Sequence, residues 1–233
     1  MRDHFARLDN PVWHALSKTQ RTLGSANHGA CRYLAEVAPF AATATPKPEA
    51  FLALQALLGQ DDHVIVQSLS PLAVGAGLLA VQLGAVQQMI ALEAPPDDPV
   101  DGLVHLGRSD TEDMLRLAQQ TRPGPFARRT QEMGRYIGIR DQGKLIAMAG
   151  ERMRLEGFVE ISAVCVDDGY RGRGLAGRLV NVLRREILLR GDIPFLHVLD
   201  DNAPALALYR RLGFENRQAF LLYRLDRCDV LSQ

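Results

Sequence analysis

The densest pattern of apolar and polar positions lies in the second half of the chain, where short apolar runs alternate with helical stripes. Residues 158–166 read as a strand, apolar and β-branched almost throughout. Residues 174–190 place Leu175, Leu179, Val182, Leu183 and Ile187 on one helical stripe, with Arg178, Arg184, Arg185 and Arg190 outside it. A strand over 193–199, a helix over 203–212 and a strand over 214–225 that closes the sheet follow. Before them, 103–107 reads as a strand and 109–120 as a helix, capped by Ser109 with Glu112 at the capping-box spacing. Pro123-Gly124-Pro125 breaks the chain ahead of a short segment at 126–133. Residues 136–140 and 145–151 form a hairpin through Asp141-Gln142-Gly143.

The first half is less regular. A helix is expected over 12–23, with Asn10 as its candidate cap before Pro11. Residues 39–48 read as a loop and 51–58 as a short helix stopped by Gly59. Strands are expected over 63–69, 78–81 and 86–92. Gly75-Ala76-Gly77 has no basic or glutamine residue at the offset a phosphate loop needs, and reads as a flexible turn. Ala94-Pro95-Pro96-Asp97-Asp98-Pro99 continues neither helix nor strand. It divides the chain into an α/β domain over 1–94, a linker over 95–100 and a second domain over 101–233.

The candidate chemistry sits where the strand ending at Val166 meets the helix beginning near Gly174. Between them run Arg171, Gly172, Arg173, Gly174, Leu175 and Ala176. Glycines there let the backbone approach a ligand, and the first N–H groups of the helix have no partner of their own. Such a turn binds anions, with the positive end of the helix dipole behind it. The Lys-Ser/Thr of a P-loop and the three-glycine dinucleotide fingerprint are both missing, so a pyrophosphate on an acyl carrier fits better than a nucleoside triphosphate.

Arg171-x-x-Gly174-x-Ala176, followed by Asn202-x-x-Ala205-x-x-Leu208-Tyr209-x-x-x-Gly213-Phe214, resembles two motifs of the GNAT superfamily of N-acetyltransferases. The resemblance covers roughly residues 101–226. It implies an α/β (α+β) fold with a mixed, mostly antiparallel sheet flanked by helices, whose central strands splay apart to hold acetyl-CoA. It implies direct attack by a primary amine in a ternary complex, with Val164, Cys165 and Val166 offering main-chain groups to the cofactor and the Cys165 side chain facing away. The 171–176 turn would hold the pyrophosphate and Tyr209 would be the general acid at the departing sulfur; Asn202 would contact the pantetheine arm, cap its helix or do both, with Asp200 and Asp201 the other candidate caps before Pro204. Glu160 lies eleven positions before Arg171, the offset at which the histone-acetyltransferase branch of that family places its catalytic glutamate, and by that resemblance it is the candidate general base, directly or through water, with Ser162 placed to hold that water. On a strand Glu160, Ser162, Val164 and Val166 share one face. His197 reads as a satisfied core or surface histidine, and Glu151 and Arg152 are candidate substrate contacts. The first half is either a degenerate copy of the same fold or a cap. Two other readings remain open: an acyl-CoA sensor without turnover, and a glycine N-acyltransferase-like enzyme with a longer acyl donor.

Composition narrows this little further. Among 233 residues, 47% are hydrophobic and 23% charged, which suits an ordinary globular protein. The net charge of zero argues against a nucleic-acid partner. Residues 1–100 hold 6 basic against 9 acidic side chains and the remainder 21 against 18, so the half with the candidate cofactor turn is the more positive. Residues 72–92, the most apolar stretch, are interrupted by Gly75, Gly77, Gly84, Gln82, Gln87 and Gln88, which argues against a membrane span. Cys31, Cys165 and Cys228 have no metal-ligand spacing, so no metal is expected, and reduced thiols suit a soluble cytoplasmic protein. Neither the acceptor nor the oligomeric state can be read.

Overall fold

The computed structural model describes residues 2–75, 77–96 and 99–228. Ala76 of the turn expected at 75–77, Asp97 and Asp98 of the expected linker, and residues 229–233 lie outside the described residues. The chain opens with α1 (Arg2–Phe5) and α2 (Pro11–His14). A π turn over Ala15–Thr19 follows, in place of the continuous helix expected over 12–23. The reason is tertiary: Gln20 turns inward, where its amide donates to the carbonyls of Met133 and Arg152 and accepts from Tyr33 Oη. Asn10 holds the expected N-cap position of α2, but its side chain makes no capping bond there; its amide instead donates to Thr43 O at 2.8 Å.

Three short strands, β1 (Gly24–Ala26), β2 (Ala30–Tyr33) and β3 (Ala41–Thr43), make a small antiparallel sheet. The expected loop at 39–48 thus contains a strand, whose three residues are buried against their neighbours. Next come α3 (Pro48–Gln55), β4 (His63–Ser68) and β5 (Leu78–Ile90). The two strands expected over 78–81 and 86–92 are one, because β5 is laddered throughout and Gly84, at φ 147°, carries it through a kink.

The second half runs β6 (Leu103–Leu106), α4 (Thr111–Thr121), β7 (Tyr136–Asp141), β8 (Lys144–Leu155), β9 (Phe158–Val166), α5 (Leu175–Leu189), β10 (Ile193–Leu199), α6 (Ala203–Arg211) and β11 (Glu215–Arg227). The hairpin between β7 and β8 turns on Gln142 and Gly143, both left-handed at φ 48° and 81°, as a two-residue turn between twisted strands requires. Asp110, not Ser109, holds the N-cap position of α4, and its carboxylate makes no capping bond to that helix but accepts from Gly107 N at 3.0 Å across the 3-10 turn Arg108–Asp110 before it. Arg184, expected outside the apolar stripe of α5, is buried and donates to the carbonyls of Leu212 and Glu93.

Strands β4 to β11 form one sheet in the order β4-β11-β5-β10-β9-β8-β7-β6. Tyr136, Leu145 and Cys165 pack against α4, whereas Ile137, Ile146 and Val166 pack against α5, so the two helices cover opposite faces. β11 does not close the sheet directly on β10: β5 lies between them, antiparallel to both. The expected division at 95–100 is therefore not a boundary between sheets. The first hundred residues supply two strands of the main sheet, one of them internal. Residues 101–233 expressed alone would leave β10 and β11 without their common neighbour and would expose Phe158 and Phe195, which are fully buried against residues 8–42. Such a fragment is expected to show no cooperative thermal transition, whereas the full chain melts in one.

Candidate functional site

β9 and β10 run parallel and pair over only three residues, Phe158–Glu160 with Ile193–Phe195. Beyond that they separate. The cause lies in β9, where the ladder with β8 slips between Ser162 and Cys165 and Ala163 takes φ 53°, a bulge with a left-handed non-glycine residue. The bulge also reverses which side chains face which way. Val159 and Ile161 pack on the α5 side before it, and Val164 and Val166 do so after it. Glu160 and Val164 thus do not share a face, contrary to simple alternation.

The gap opens onto a cleft of about 670 Å³. One wall is Val164, Cys165 and Val166; the floor is the turn containing Arg171, Gly172 and Gly174, with Leu175, Ala176 and Gly177 of α5; the far wall is Asn202, Ala205, Leu208 and Tyr209 of α6. Gly172 and Gly174 stand at φ 78° and 76°, where a side chain strains the backbone. The first bond of α5 runs from Arg178 N to Gly174 O, so the N–H groups of Leu175, Ala176 and Gly177 have no intrahelical acceptor. The turn is shaped from beneath by Asp167, which accepts from Gly169 N at 3.0 Å and pairs with Lys144 at 2.6 Å. The lysine and that N–H hold its carboxyl below the usual range. Among the described residues, Arg171, paired only with exposed Asp168, and Arg211 are the cations lining the cleft, and no acidic side chain lines it. Free helix N–H groups, two cations and no carboxylate suit a pyrophosphate, and the apolar walls suit the arm behind it. Of the candidate cofactor residues, only Arg173 is not a lining residue. Its guanidinium stacks on the Tyr170 ring at 4.8 Å.

Asn202 settles the question of the cap: its Oδ1 accepts from Ala205 N at 3.2 Å, starting α6, while the residue also lines the cleft. Cys165 points away among α4 residues, and burial pushes its thiol up to about 11. Tyr209 packs edge-on to Phe214, ring centres 5.9 Å apart, and burial pushes its phenol up to about 12. It therefore keeps its proton at neutral pH.

A second cavity of about 320 Å³ adjoins the cleft, and Val164, Asn202, Ala205 and Tyr209 line both. Its other walls include Ser162, Arg152 and His197, and, from the first half of the chain, Phe40, Ile65, Gln67 and Val86. These last four escaped the sequence reading. Gln87-Gln88 inside an apolar strand bear on the cavity only at one remove, through Gln88, which meets the lining residue His197.

Glu160 lines neither cavity. It is fully buried, accepts from Arg152 at 2.8 and 2.6 Å, and lies 2.7 Å from His197 Nδ1. Burial alone would raise its carboxyl, but the Arg152 guanidinium and then His197 outweigh that and bring it down to about 2. A carboxylate so paired is a poor base and has no path to an amine in the cleft. His197 Nε2 meets Gln88 Nε2 at 3.1 Å. Gln88 is oriented by Arg217, which donates to its Oε1, and by Leu8 O, which accepts from its amide. Gln88 therefore donates to His197 Nε2, and His197 donates through Nδ1 to Glu160. This buried chain, Arg217–Gln88–His197–Glu160–Arg152, ties β5 to β8, β9, β10 and β11. Glu151, the other expected substrate contact, is buried and bonds to Arg190 at 2.5 Å.

Residues 136–222 match the family model described as FR47-like protein. Among curated relatives, the chain is 38% identical over 105 residues to N-alpha-acetyltransferase RimI of Mycobacterium tuberculosis, 42% of this chain and 63% of that one. It is 39% identical over 77 residues to mycothiol acetyltransferase of Corynebacterium jeikeium, 33% of this chain and 21% of that one. The chain thus spans less than two thirds of these two relatives. A solved GNAT-family structure from Novosphingobium aromaticivorans is 38% identical, with a TM-score of 0.88 over 95% of this chain and 99% of that one. That match includes the first hundred residues, which the motifs left unexplained, and on its strength this chain belongs to the GNAT family of N-acetyltransferases.

Proposed function

We propose that the protein moves an acetyl group from acetyl-CoA to a primary amine by direct attack in a ternary complex. The observation that carries this reading is the position of Tyr209, on the shared wall of the anion-binding cleft and a second cavity large enough for an acceptor. The N–H groups of Leu175, Ala176 and Gly177, with Arg171 and Gly174, would bind the pyrophosphate. The parted edge of β9 would align the thioester. The amine nitrogen bonds to the carbonyl carbon, the carbon–sulfur bond breaks, and the Tyr209 phenol gives its proton to the sulfur. The amine's own proton leaves through water, since Glu160 is closed off; Ser162 lies in the cavity wall where it could hold that water. The free thiols Cys31, Cys165 and Cys228 support a reducing, cytoplasmic setting. No helix among the described residues is long and apolar enough to cross a membrane.

The test is the thermal midpoint with and without acetyl-CoA. A ligand at a hundred times its dissociation constant adds about 2.7 kcal/mol, so an upward shift is expected in the natural chain. Arg171→Ala combined with Gly174→Asp should abolish it, because a carboxylate at the helix start repels the pyrophosphate. An undiminished shift in that variant, or none in the natural chain, would remove the turn from the reading.

A further inference from the structure

The second cavity indicates what kind of amine it receives. Its walls are largely apolar, with Phe40, Ile65, Val86 and Leu222 among them, and no acidic side chain lines it among the described residues. A polyamine or an aminoglycoside would bring cations that nothing there could neutralise. Two cations do line the cavity, Arg152 and Arg122. Arg152 is spent, since Glu160 takes two of its guanidinium nitrogens. Arg122 is not: it is exposed, and among the described residues its guanidinium makes no hydrogen bond and no ion pair, so it stands at the rim of the cavity as a solvated positive charge free to meet a ligand.

The backbone at Arg122 is a second, independent oddity. It follows α4 and stands in the left-handed region at φ 51° and ψ 58°, with its N–H on Ala118 O. Glycine or asparagine usually holds that position, because a β-carbon there strains the chain. An exposed arginine at a strained position, at the rim of a cavity and without a partner among the described residues, is available to a ligand that carries negative charge.

We infer that the acceptor is a free apolar amino acid, whose carboxylate pairs with Arg122 while its amine meets the thioester beside Tyr209. This rests on the acetyl-transfer reading given above. The apolar walls take the side chain, and a guanidinium accepts a carboxylate through two parallel hydrogen bonds. The transfer forms the amide C–N bond and breaks the thioester C–S bond. One hydrogen leaves the nitrogen and one arrives at sulfur, so the products are an N-acetyl amino acid and free CoA thiol.

The experiment measures thiol release from acetyl-CoA with L-leucine, L-methionine and L-phenylalanine, each beside its amide, and with a leucine-first tripeptide amide. The amino acids should exceed their amides by about tenfold or more in kcat/KM. Arg122→Gly suits the left-handed backbone and should not lower the melting temperature. It should nevertheless raise KM for the amino acid and reduce the preference for carboxylate over amide about tenfold, and Arg122→Lys should restore some of it. Amides or the tripeptide serving as well as free amino acids would overturn the inference. So would a preference that survives Arg122→Gly, which would leave the arginine as a helix-end charge only. Turnover of none of these amines also overturns it. If the acetyl-CoA shift in melting temperature persists in that case, the cofactor site stands and only the acceptor is wrong; if the shift is missing as well, the transfer reading fails with it.

Discussion

Replacing Tyr209 by phenylalanine is expected to lower kcat about 100- to 1,000-fold, the usual worth of a positioned general acid. The ring and its edge contact with Phe214 remain, so the fold and the stabilisation by acetyl-CoA should be retained. What disappears is the phenol hydroxyl at the junction of cleft and cavity, which is protonated at neutral pH and can donate. A CoA thiolate must then leave without a proton, or with one from water. Single-turnover thiol release with saturating acetyl-CoA and acceptor measures this directly. Equal rates in the two proteins would mean that Tyr209 only fills space between Leu208 and Leu212.

The second large effect concerns stability. Glu160→Ala is expected to cost about 3–5 kcal/mol, because it leaves the Arg152 guanidinium charged, buried and without a counter-ion. In a chain of this size that is roughly 6–20 °C in melting temperature. Glu160→Gln should follow the same direction, since it keeps the volume and loses the charge. The pH dependence has a definite sign. The folded carboxyl is depressed to about 2 from an ordinary value of 4.5, so the pair contributes fully above about 4.5. Its contribution is lost as the pH falls from there towards 2, and both substitutions should flatten the stability curve in that window. A catalytic base would behave otherwise: Glu160→Gln would lower kcat and leave the melting temperature alone.

These two residues show how differently the sequence speaks about neighbours and about distances. Tyr209 belongs to a local run, a helix with Asn202 at its start and Gly213-Phe214 beyond its end, and its place at the cleft was legible from that run. The 171–176 turn was legible for the same reason. A strand, two left-handed glycines and a helix start follow from residues within a few positions of one another, and so do the β7–β8 hairpin and the bounds of β9 and β10. Glu160 stood as the candidate base on an offset from Arg171 that the family resemblance supplied, and strict alternation along β9 aimed it at the thioester. The bulge at Ala163 reverses that alternation, and no residue type there announces it.

What the sequence determined by itself was the family, the glycine turn that opens α5 and the candidate acid, all carried by short-range spacing of glycines, caps and apolar stripes. The tertiary structure alone decided that β5 enters between β10 and β11, that Phe40, Ile65, Gln67 and Val86 wall the second cavity, and that Arg152 silences Glu160. Partners such as Gln88 and His197 stand 109 positions apart. Backbone ladders accept almost any apolar sequence, so pairing at that range is settled by which surfaces bury one another rather than by a pattern along the chain.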